Sequence, residues 1–338
     1  MIEKKNAHHV ERIRVSLGTA GVIGLLRLRS DVEPTTAYLM TYTPTSCRGN
    51  CAFCPQARES SSTKERLSRV VWPDFSFEIF LEKIRFAAKT GKLQRICIQT
   101  VNYQDFLRDT MEIVTAIKSR ANLPISISCP PLLKNQMENL KRIGVERIGI
   151  PLDAATPGIF EKIKGKNAGG PYRWESHIKG LRDALDVFGS NGVTTHIIVG
   201  LGETEREVVE TIQSMHDLGV KLSLFAFTPI RGTKLEKLKP PATSQYRRVQ
   251  LARYLITRGS SSAKLMRFDS EERIIDFGVS KEDLSHFESL GEPYMTSGCG
   301  GCNRPFYNES PRGPIYNYPR ELSSEELRRV VDELNLMS

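Results

Sequence analysis

β-Branched and aromatic residues gather into short runs at residues 37–42, 95–100, 124–129, 147–153, 195–200 and 221–228. Each run has the length and composition of a buried strand. A seventh run follows at 264–269 and a weaker eighth near 293–296. Between the runs, apolar residues recur three and four apart over 77–89, 106–120, 174–188, 205–218 and 245–257, the spacing of one helix face. Glycines at 189, 192, 219 and 259 punctuate the turns. Strand–helix alternation of this kind implies a parallel sheet with helices outside it. Eight such units predict a (β/α)8 TIM-type barrel, closed or incomplete; an open doubly wound sheet is the alternative. Residues 1–34 then form an N-terminal extension (a helix or irregular lead-in), 35–297 the barrel, and 298–338 a C-terminal tail ending in a short helix opened by Ser323 or Ser324.

Composition narrows the function classes. The 338 residues are 39% hydrophobic and 26% charged, as in a globular protein. No apolar run approaches the ~18 residues needed to span a bilayer. The first residues are charged and lack an apolar core, which argues against a secretory signal, so the chain is expected in the cytoplasm. There, clustered cysteines bind metal more often than they form disulfides, and the odd count of seven points the same way. The 48 Lys and Arg outnumber the 39 Asp and Glu for a net charge of +9, without any block of like charges. A nucleic-acid tail is therefore disfavoured, and a polyanionic or acidic partner stays open.

The cysteine spacing carries the chemistry. Cys47, Cys51 and Cys54 form a CxxxCxxC loop directly after the first strand. A given three-cysteine spacing is expected by chance only ~0.003 times in a chain of this cysteine content. Three thiolates on one loop suit a cubane iron–sulfur cluster with one iron left open for substrate. A zinc loop lacking its fourth ligand is the competing reading. Cys97 lies in the second strand, Cys129 ends the third, and Cys299 and Cys302 form a CxxC after the eighth. If all these strands end on the face that bears the first loop, four thiolates are available for a second [4Fe–4S] cluster. A redox dithiol at Cys299 and Cys302, or a small zinc site, competes with that assignment.

The CxxxCxxC loop resembles the signature of the radical S-adenosylmethionine (SAM) enzymes. Cys54-Pro-Gln-Ala, Leu152-Asp153 and Ile198-Val-Gly-Leu-Gly-Glu-Thr204 resemble more narrowly the biotin synthase branch. The resemblance implies that Cys47, Cys51 and Cys54 hold a [4Fe–4S] cluster whose open iron binds SAM. It also implies that Asp153 contacts the ribose of the bound nucleoside and that Phe53, Gly200, Gly202 and Glu203 line the cofactor. One-electron reduction would then cleave SAM to methionine and a 5′-deoxyadenosyl radical, which takes hydrogen from an unactivated carbon. In biotin synthase, cysteines at the positions of Cys97 and Cys129 help bind an auxiliary cluster that supplies sulfur. A third such cysteine, expected near Thr194, is absent, whereas an arginine ligand would correspond to Arg267.

The tail, Cys302-Asn-Arg-Pro-Phe-Tyr-Asn-Glu309 and Pro314-Ile-Tyr-Asn-Tyr-Pro-Arg320, is similar to that of the two-component lipoyl synthases. Arg304, Tyr307, Asn308 and Tyr316 are accordingly candidate substrate or cluster contacts, with a packed surface tail as the plainer reading. This resemblance implies sulfur insertion into an octanoyl chain on a lipoyl carrier protein, either H-protein or an acyltransferase lipoyl domain. A second radical SAM subunit and an electron donor such as ferredoxin would take part, with no membrane or nucleic-acid partner. Carrier domains tend to be acidic, which would suit the +9 charge. Sulfur insertion into a free small molecule, as in biotin formation, is the alternative within the enzymes. A zinc-stabilised nucleic-acid-binding protein is the alternative outside them.

Elsewhere, Gly200-Leu-Gly-Glu lacks the residues of a phosphate loop and reads as backbone approaching the adenosyl group or as a plain βα turn. Lys164-Gly-Lys166, with Tyr172 and Trp174, is a lid or a solvated loop. His8, His9, His177, His196, His216 and His286 show no metal-ligand spacing, although His196 could face the barrel interior.

Overall fold

The structure is a computed structural model, and it describes residues 9–334. His8 and the start of the N-terminal extension lie outside the described residues. The chain opens with β1 (Arg12–Val15), α1 (Leu17–Val22) and β2 (Thr36–Thr41). The short strands β3 (Arg66–Leu67), β4 (Val70–Val71) and β5 (Asp74–Ser76) follow a long loop. The helix–strand series then runs α2 (Phe77–Ala87), β6 (Arg95–Gln99), α3 (Phe106–Lys118), β7 (Ile125–Ser128), α4 (Lys134–Arg142), β8 (Val145–Gly149), α5 (Pro157–Ile163), α6 (Trp174–Phe188), β9 (Val193–Val199), α7 (Glu205–Leu218), β10 (Lys221–Ala226) and α8 (Thr243–Arg258). A hairpin of β11 (Arg267–Phe268) and β12 (Ile274–Asp276), then α9 (Lys281–Ser289) and α10 (Ser324–Leu334), complete the described elements.

β2, β6, β7, β8, β9 and β10 are parallel neighbours in chain order. β1 adds antiparallel to β2, and β5 antiparallel to β1. The two end strands, β10 and β5, do not pair, so the sheet is a partial barrel left open. The first six expected strands are therefore present, and the incomplete form of the βα barrel is the one adopted. The seventh and eighth are not barrel strands. Asp269 accepts hydrogen bonds from the backbones of Glu271 and Arg273, which turns the seventh run back on itself as the β11–β12 hairpin. Pro293, without an N–H to donate to a ladder, sits in a 3-10 turn, and only an isolated bridge links Met295 to Tyr318. The strand at 12–15 falls in the segment expected to be a helix or irregular lead-in.

Alternation along each strand sorts side chains into two sets. Ile96, Ile98, Ile125, Ile127, Ile148 and Ile197 face the helices and are buried with Phe80, Ile113, Leu140, Leu181 and Val208. The inner face is more polar. Tyr38, Cys97, Ser126 and Arg147 align in one layer, and Met40, Gln99, Ser128 and Gly149 in the next one toward the strands' carboxyl ends. Loop residues after those ends therefore overlie a partly polar interior, the arrangement in which βα barrels place their chemistry.

α7 begins on a capping box in which Thr204 Oγ1 accepts from the Glu207 amide and the Glu207 carboxylate accepts from the Thr204 amide. The next residue, Glu205, is buried and accepts three hydrogen bonds from Arg248 of α8 and one from the Ile274 amide of β12. Arg248→Met leaves that carboxylate buried beside one amide donor. It is expected to cost ~3–5 kcal/mol in chemical denaturation.

Candidate active site

The loop between β2 and β3 is pinned at many points. Ala52 N donates to Ile163 O (2.7 Å), Arg48 N to Asn102 O (2.7 Å) and Arg58 N to Gly49 O (2.9 Å). Buried Asn50 bridges the Ala168 carbonyl and the Glu59 amide, and Gln56 Nε2 donates to both Lys64 O and Arg66 O at 2.7 Å. Gly49 is required by close approach, since a Cβ there would stand 2.9 Å from the Tyr172 ring. The loop thus presents Cys47, Cys51 and Cys54 together at the carboxyl-terminal mouth of the sheet, where all three line one pocket. Burial, with Cys47 adding to it, pushes the Cys54 thiol up to about 12. Burial also raises Cys51, against the pull of the Lys164 ammonium. Their thiolates are thus disfavoured until a cationic group meets them.

Among the described residues, no three His, Cys, Asp or Glu side chains converge to hold a single metal ion. One tetrahedral zinc would need its sulfurs at ~2.3 Å, hence within about 4 Å of each other. A cubane spreads its thiolates over different irons, so its ligands ring a space rather than meet at a point. Three half-buried thiols on one pinned loop fit the cubane and would leave one of its irons without a protein thiolate.

Across the pocket, Asp153 follows β8 with φ +64°, a backbone state that non-glycine residues adopt where surrounding contacts impose it. Its amide donates to His196 O, and its carboxylate oxygens meet Lys164 Nζ and His196 Nε2, each at 2.7 Å. Burial would raise this carboxyl, yet Lys164 and then His196 hold it well below the usual carboxylate range. Lys164 also donates to Pro151 O at 2.6 Å and stacks over Phe160 and Tyr172. It is therefore a buried member of the site rather than a solvated loop residue. Lys164→Met strands the buried carboxylate with one partner, and a loss of ~3–5 kcal/mol is expected in urea denaturation. Because the Asp153 pKa is depressed on folding, its contribution is present above the unfolded carboxylate pKa. It fades as pH falls through the lower folded value, so wild type and variant should converge in acid.

The remaining wall includes Phe53, Ile198, Phe225, Tyr307, Asn308 and His177. Among the described residues, buried His177 Nε2 has no hydrogen-bond partner, and burial pushes the imidazole down to about 3, so it stays neutral. Tyr307 is packed edge-on to Phe225 and lies within electrostatic reach of both Cys54 and Cys97. It stands between the cluster loop and the barrel interior. Asn308 Nδ2 reaches Ser68 Oγ at 3.3 Å, and its carbonyl accepts from Thr228 Oγ1 at 2.8 Å.

A second set of thiols lies deeper. Cys97 faces inward, in electrostatic reach of Cys299 and Cys302; burial first, and then those two thiols, raise it strongly. Tyr38 Oη lies 3.4 Å from Cys302 Sγ, and Ser126 Oγ 3.9 Å from Cys299 Sγ. Arg304 is half-buried beside them, its guanidinium 4.0 Å from the Phe225 ring centre and bonded to Ser297 O. The CxxC segment enters from the end opposite the pocket. Thr35 and Thr36 at the start of β2 donate to Gly301 O, and Asn303 Oδ1 accepts from Thr35 N. From there the tail climbs past Tyr38 to Thr228, across the open side of the sheet.

Several expected residues fall elsewhere. Cys129 follows Ser128 on the opposite parity from Cys97. It is buried in the helix-facing core, touches only the pocket's wall, and is pushed up to about 12 by burial with no contribution from another thiol. The deeper set is therefore three thiols rather than four. Arg267 is exposed on the β11–β12 hairpin and paired with Asp276, because the seventh run never joins the sheet. Tyr316 is buried behind the barrel, donating to Pro241 O at 2.8 Å and packed on Tyr246. The Gly200–Glu203 turn closes on itself, with the Glu203 carboxylate accepting from the Gly200 and Leu201 amides, and it does not line the pocket. The contacts of Lys164 and His196 with Asp153 span 11 and 43 residues of sequence. The only early signals were a lysine flanked by aromatics and a histidine in a strand.

Comparison with known proteins completes the picture. Residues 41–215, just over half of the chain, match the Radical SAM superfamily. The biotin synthase of Clostridium acetobutylicum is 28% identical over 200 residues, covering 58% of this chain and 57% of that protein. The biotin synthase of Thermotoga petrophila is 24% identical over 249 residues, covering 72% and 74%. The first of these alignments therefore spans little more than half the relative's length. Among solved structures, the FeFe-hydrogenase maturase HydG from Carboxydothermus hydrogenoformans shares the fold with a TM-score of 0.53 at 17% identity, over 66% of this chain and 51% of that one. Among the described residues, no helix is long and apolar enough to cross a membrane. With its thiol loop at the mouth of a partial βα barrel, the chain belongs to the radical SAM superfamily, in the biotin-synthase-like branch, and with that membership come its [4Fe–4S] cluster and SAM.

Proposed function

We propose that the protein is a radical sulfur-insertion enzyme, with the octanoyl chain of a lipoyl carrier protein as its substrate. The observation that carries this reading is the second thiol set, Cys97, Cys299 and Cys302, lying inside the barrel beneath the pocket, with Tyr307 between it and the cluster loop. Bound at Cys47, Cys51 and Cys54, the [4Fe–4S] cluster with SAM supplies a 5′-deoxyadenosyl radical able to take hydrogen from an unactivated carbon. An iron–sulfur group on the deeper thiols would supply the sulfur.

The chain's own residues provide orientation and shelter. Asp153, kept anionic by Lys164 and His196, retains a free lone pair on each oxygen to accept from ribose hydroxyls. Phe53, Ile198, Phe225 and Tyr307 exclude water from the space where a carbon radical would have to survive. Arg304, half-buried and with no ion pair to a carboxylate among the described residues, offsets the negative charge of thiolates at Cys302 and Cys97. A chain entering past Tyr307 and Asn308 would run from the upper thiol set toward the deeper one. The net charge of +9 favours an acidic carrier, H-protein or an acyltransferase lipoyl domain. A second radical SAM subunit would complete the pair of insertions, with a ferredoxin-type donor providing electrons.

The biotin synthase relatives favour a second reading, insertion into a free small molecule. Against it stand Thr194, where a third auxiliary cysteine would be, and the outward-facing Arg267. Anaerobic incubation of the reconstituted protein with SAM, reductant and an octanoyl-lysyl peptide separates the two. A mass gain of one sulfur on the peptide is expected. Formation of 5′-deoxyadenosine with no sulfur on the peptide, and sulfur transfer in a parallel incubation with dethiobiotin, would establish the second reading instead.

A further inference from the structure

The deeper thiols have a second approach, from the rear. A cleft opens at the amino-terminal ends of β9 and β10, lined by Lys221, Arg253, Ser297 and Gly298. This is the face opposite the cluster loop. Gly298 forms the partition: a Cβ built on it would stand 3.2 Å from Cys302 Sγ and 3.3 Å from Cys302 Cβ. The wall between the cleft and the sulfur is thus a single residue without a side chain, packed directly against Cys302. Gly298, Cys299 and Cys302 are half-buried, and Gly300 is exposed.

The field in this cleft is positive. Among the described residues, neither the Lys221 ammonium nor the Arg253 guanidinium has a hydrogen-bond or ion-pair partner. The acid at the rim, Glu292, is engaged by Arg258 at 2.7 Å and by Tyr254 Oη at 2.9 Å. Burial lowers Lys221, the thiols of Cys299 and Cys302 pull it up, and Arg147 and Arg253 push it down, so the cations and the thiols share one field. Two unpaired cations over a wall one glycine thick draw anions toward the sulfur behind it.

We propose that this rear cleft is the route by which hydrosulfide reaches Cys302 and Cys299, replenishing the deeper sulfur from the face opposite the SAM pocket. The proposal rests on the sulfur-insertion reading, because each sulfur carried into product leaves the deeper group one sulfide short. The incoming hydrosulfide forms its bond to iron, breaks its S–H bond and releases the proton to solvent. The step is redox-neutral and needs no further reactant. Refilling from the rear leaves the front pocket free to hold SAM and substrate throughout.

The route is tested first on the full-length, iron-free chain with methanethiosulfonate reagents of opposite charge, ethylsulfonate (anionic) and ethyltrimethylammonium (cationic). Modification of each cysteine is followed by peptide mass spectrometry. The anionic reagent is expected to modify Cys302 on the order of 10-fold faster than the cationic one at low ionic strength, with the preference fading as salt is added. Lys221→Glu should abolish or reverse the preference at Cys302 and leave labelling of Cys54 unchanged. Gly298→Val should slow both reagents at Cys302. Equal rates for the two reagents in wild type, or an unaltered preference in Lys221→Glu, would overturn the route. In the reconstituted enzyme supplied with iron and isotopically heavy sulfide, Lys221→Glu should keep the first turnover and slow later ones about 10-fold. If no substrate receives sulfur, the sulfur-insertion reading fails on its own account, and the labelling contrast still decides whether the cleft admits anions.

Discussion

Cys54→Ala is expected to abolish reductive cleavage of SAM, with 5′-deoxyadenosine falling at least ~10³-fold. Residues that merely support a metal ligand are typically worth 10–100-fold, and a ligand itself should exceed that range. Cys54 sits inside a loop held at Gly49, Ala52, Asn50 and Gln56, so the substitution should remove a thiolate without unravelling the loop. Iron content should fall by about four per chain. The measurements are anaerobic iron and sulfide analysis and chromatography of the nucleoside products. Unchanged iron with lost cleavage would contradict the ligand role.

Cys302→Ser is expected to separate the two halves of the reaction. Cleavage of SAM should persist within a factor of a few, while sulfur transfer to the octanoyl-lysyl peptide should drop below detection, a loss of at least ~10²-fold. The separation follows from placement. Cys302 meets Tyr38 in the layer below the pocket, whereas the cluster loop lies at the opposite end of the strands. Cys97→Ser should behave alike. Cys129→Ala should leave iron content and sulfur transfer near wild type, because Cys129 belongs to the helix-facing core and costs only packing. Loss of iron in Cys129→Ala equal to that in Cys302→Ser would restore a four-thiolate set. Wild-type iron near four rather than about eight per chain would remove the second group altogether.

These two variants also mark how far the pattern of the chain reaches. The six parallel strands were legible because each is a run of β-branched residues bounded by turn residues. The helices α6 and α7 begin and end where the apolar periodicity does. Residues 264–269 carry a similar run, but Asp269 and the turn after it pair the segment with itself sooner than the sheet can recruit it. Local hydrogen bonds competed with a distant edge, and periodicity contains no term for that competition. The strand at 12–15 leaves little mark on the pattern because it is short, and it is held by partners 24 to 64 residues away.

In the site, the cluster loop was legible because its three cysteines are close in sequence and its geometry is local. Asp153 was found by resemblance, but its partners were not, since Lys164 and His196 reach it only when α5 and β9 pack beside β8. Arg267 and Tyr316 carried chemically apt side chains, yet one ended in solvent and the other in the core between α8 and the tail.

By itself, the sequence determined the fold class, the thiol loop and its chemistry, and the net positive charge, all set by composition and short-range spacing. Only the tertiary structure decided which of the other four cysteines lie together. Strand parity turned Cys97 inward and Cys129 outward, one step of alternation being enough to put two sulfurs on opposite sides of a sheet. The open edge of the barrel then let the tail bring Cys299 and Cys302 in from the rear, a consequence of six parallel strands rather than eight.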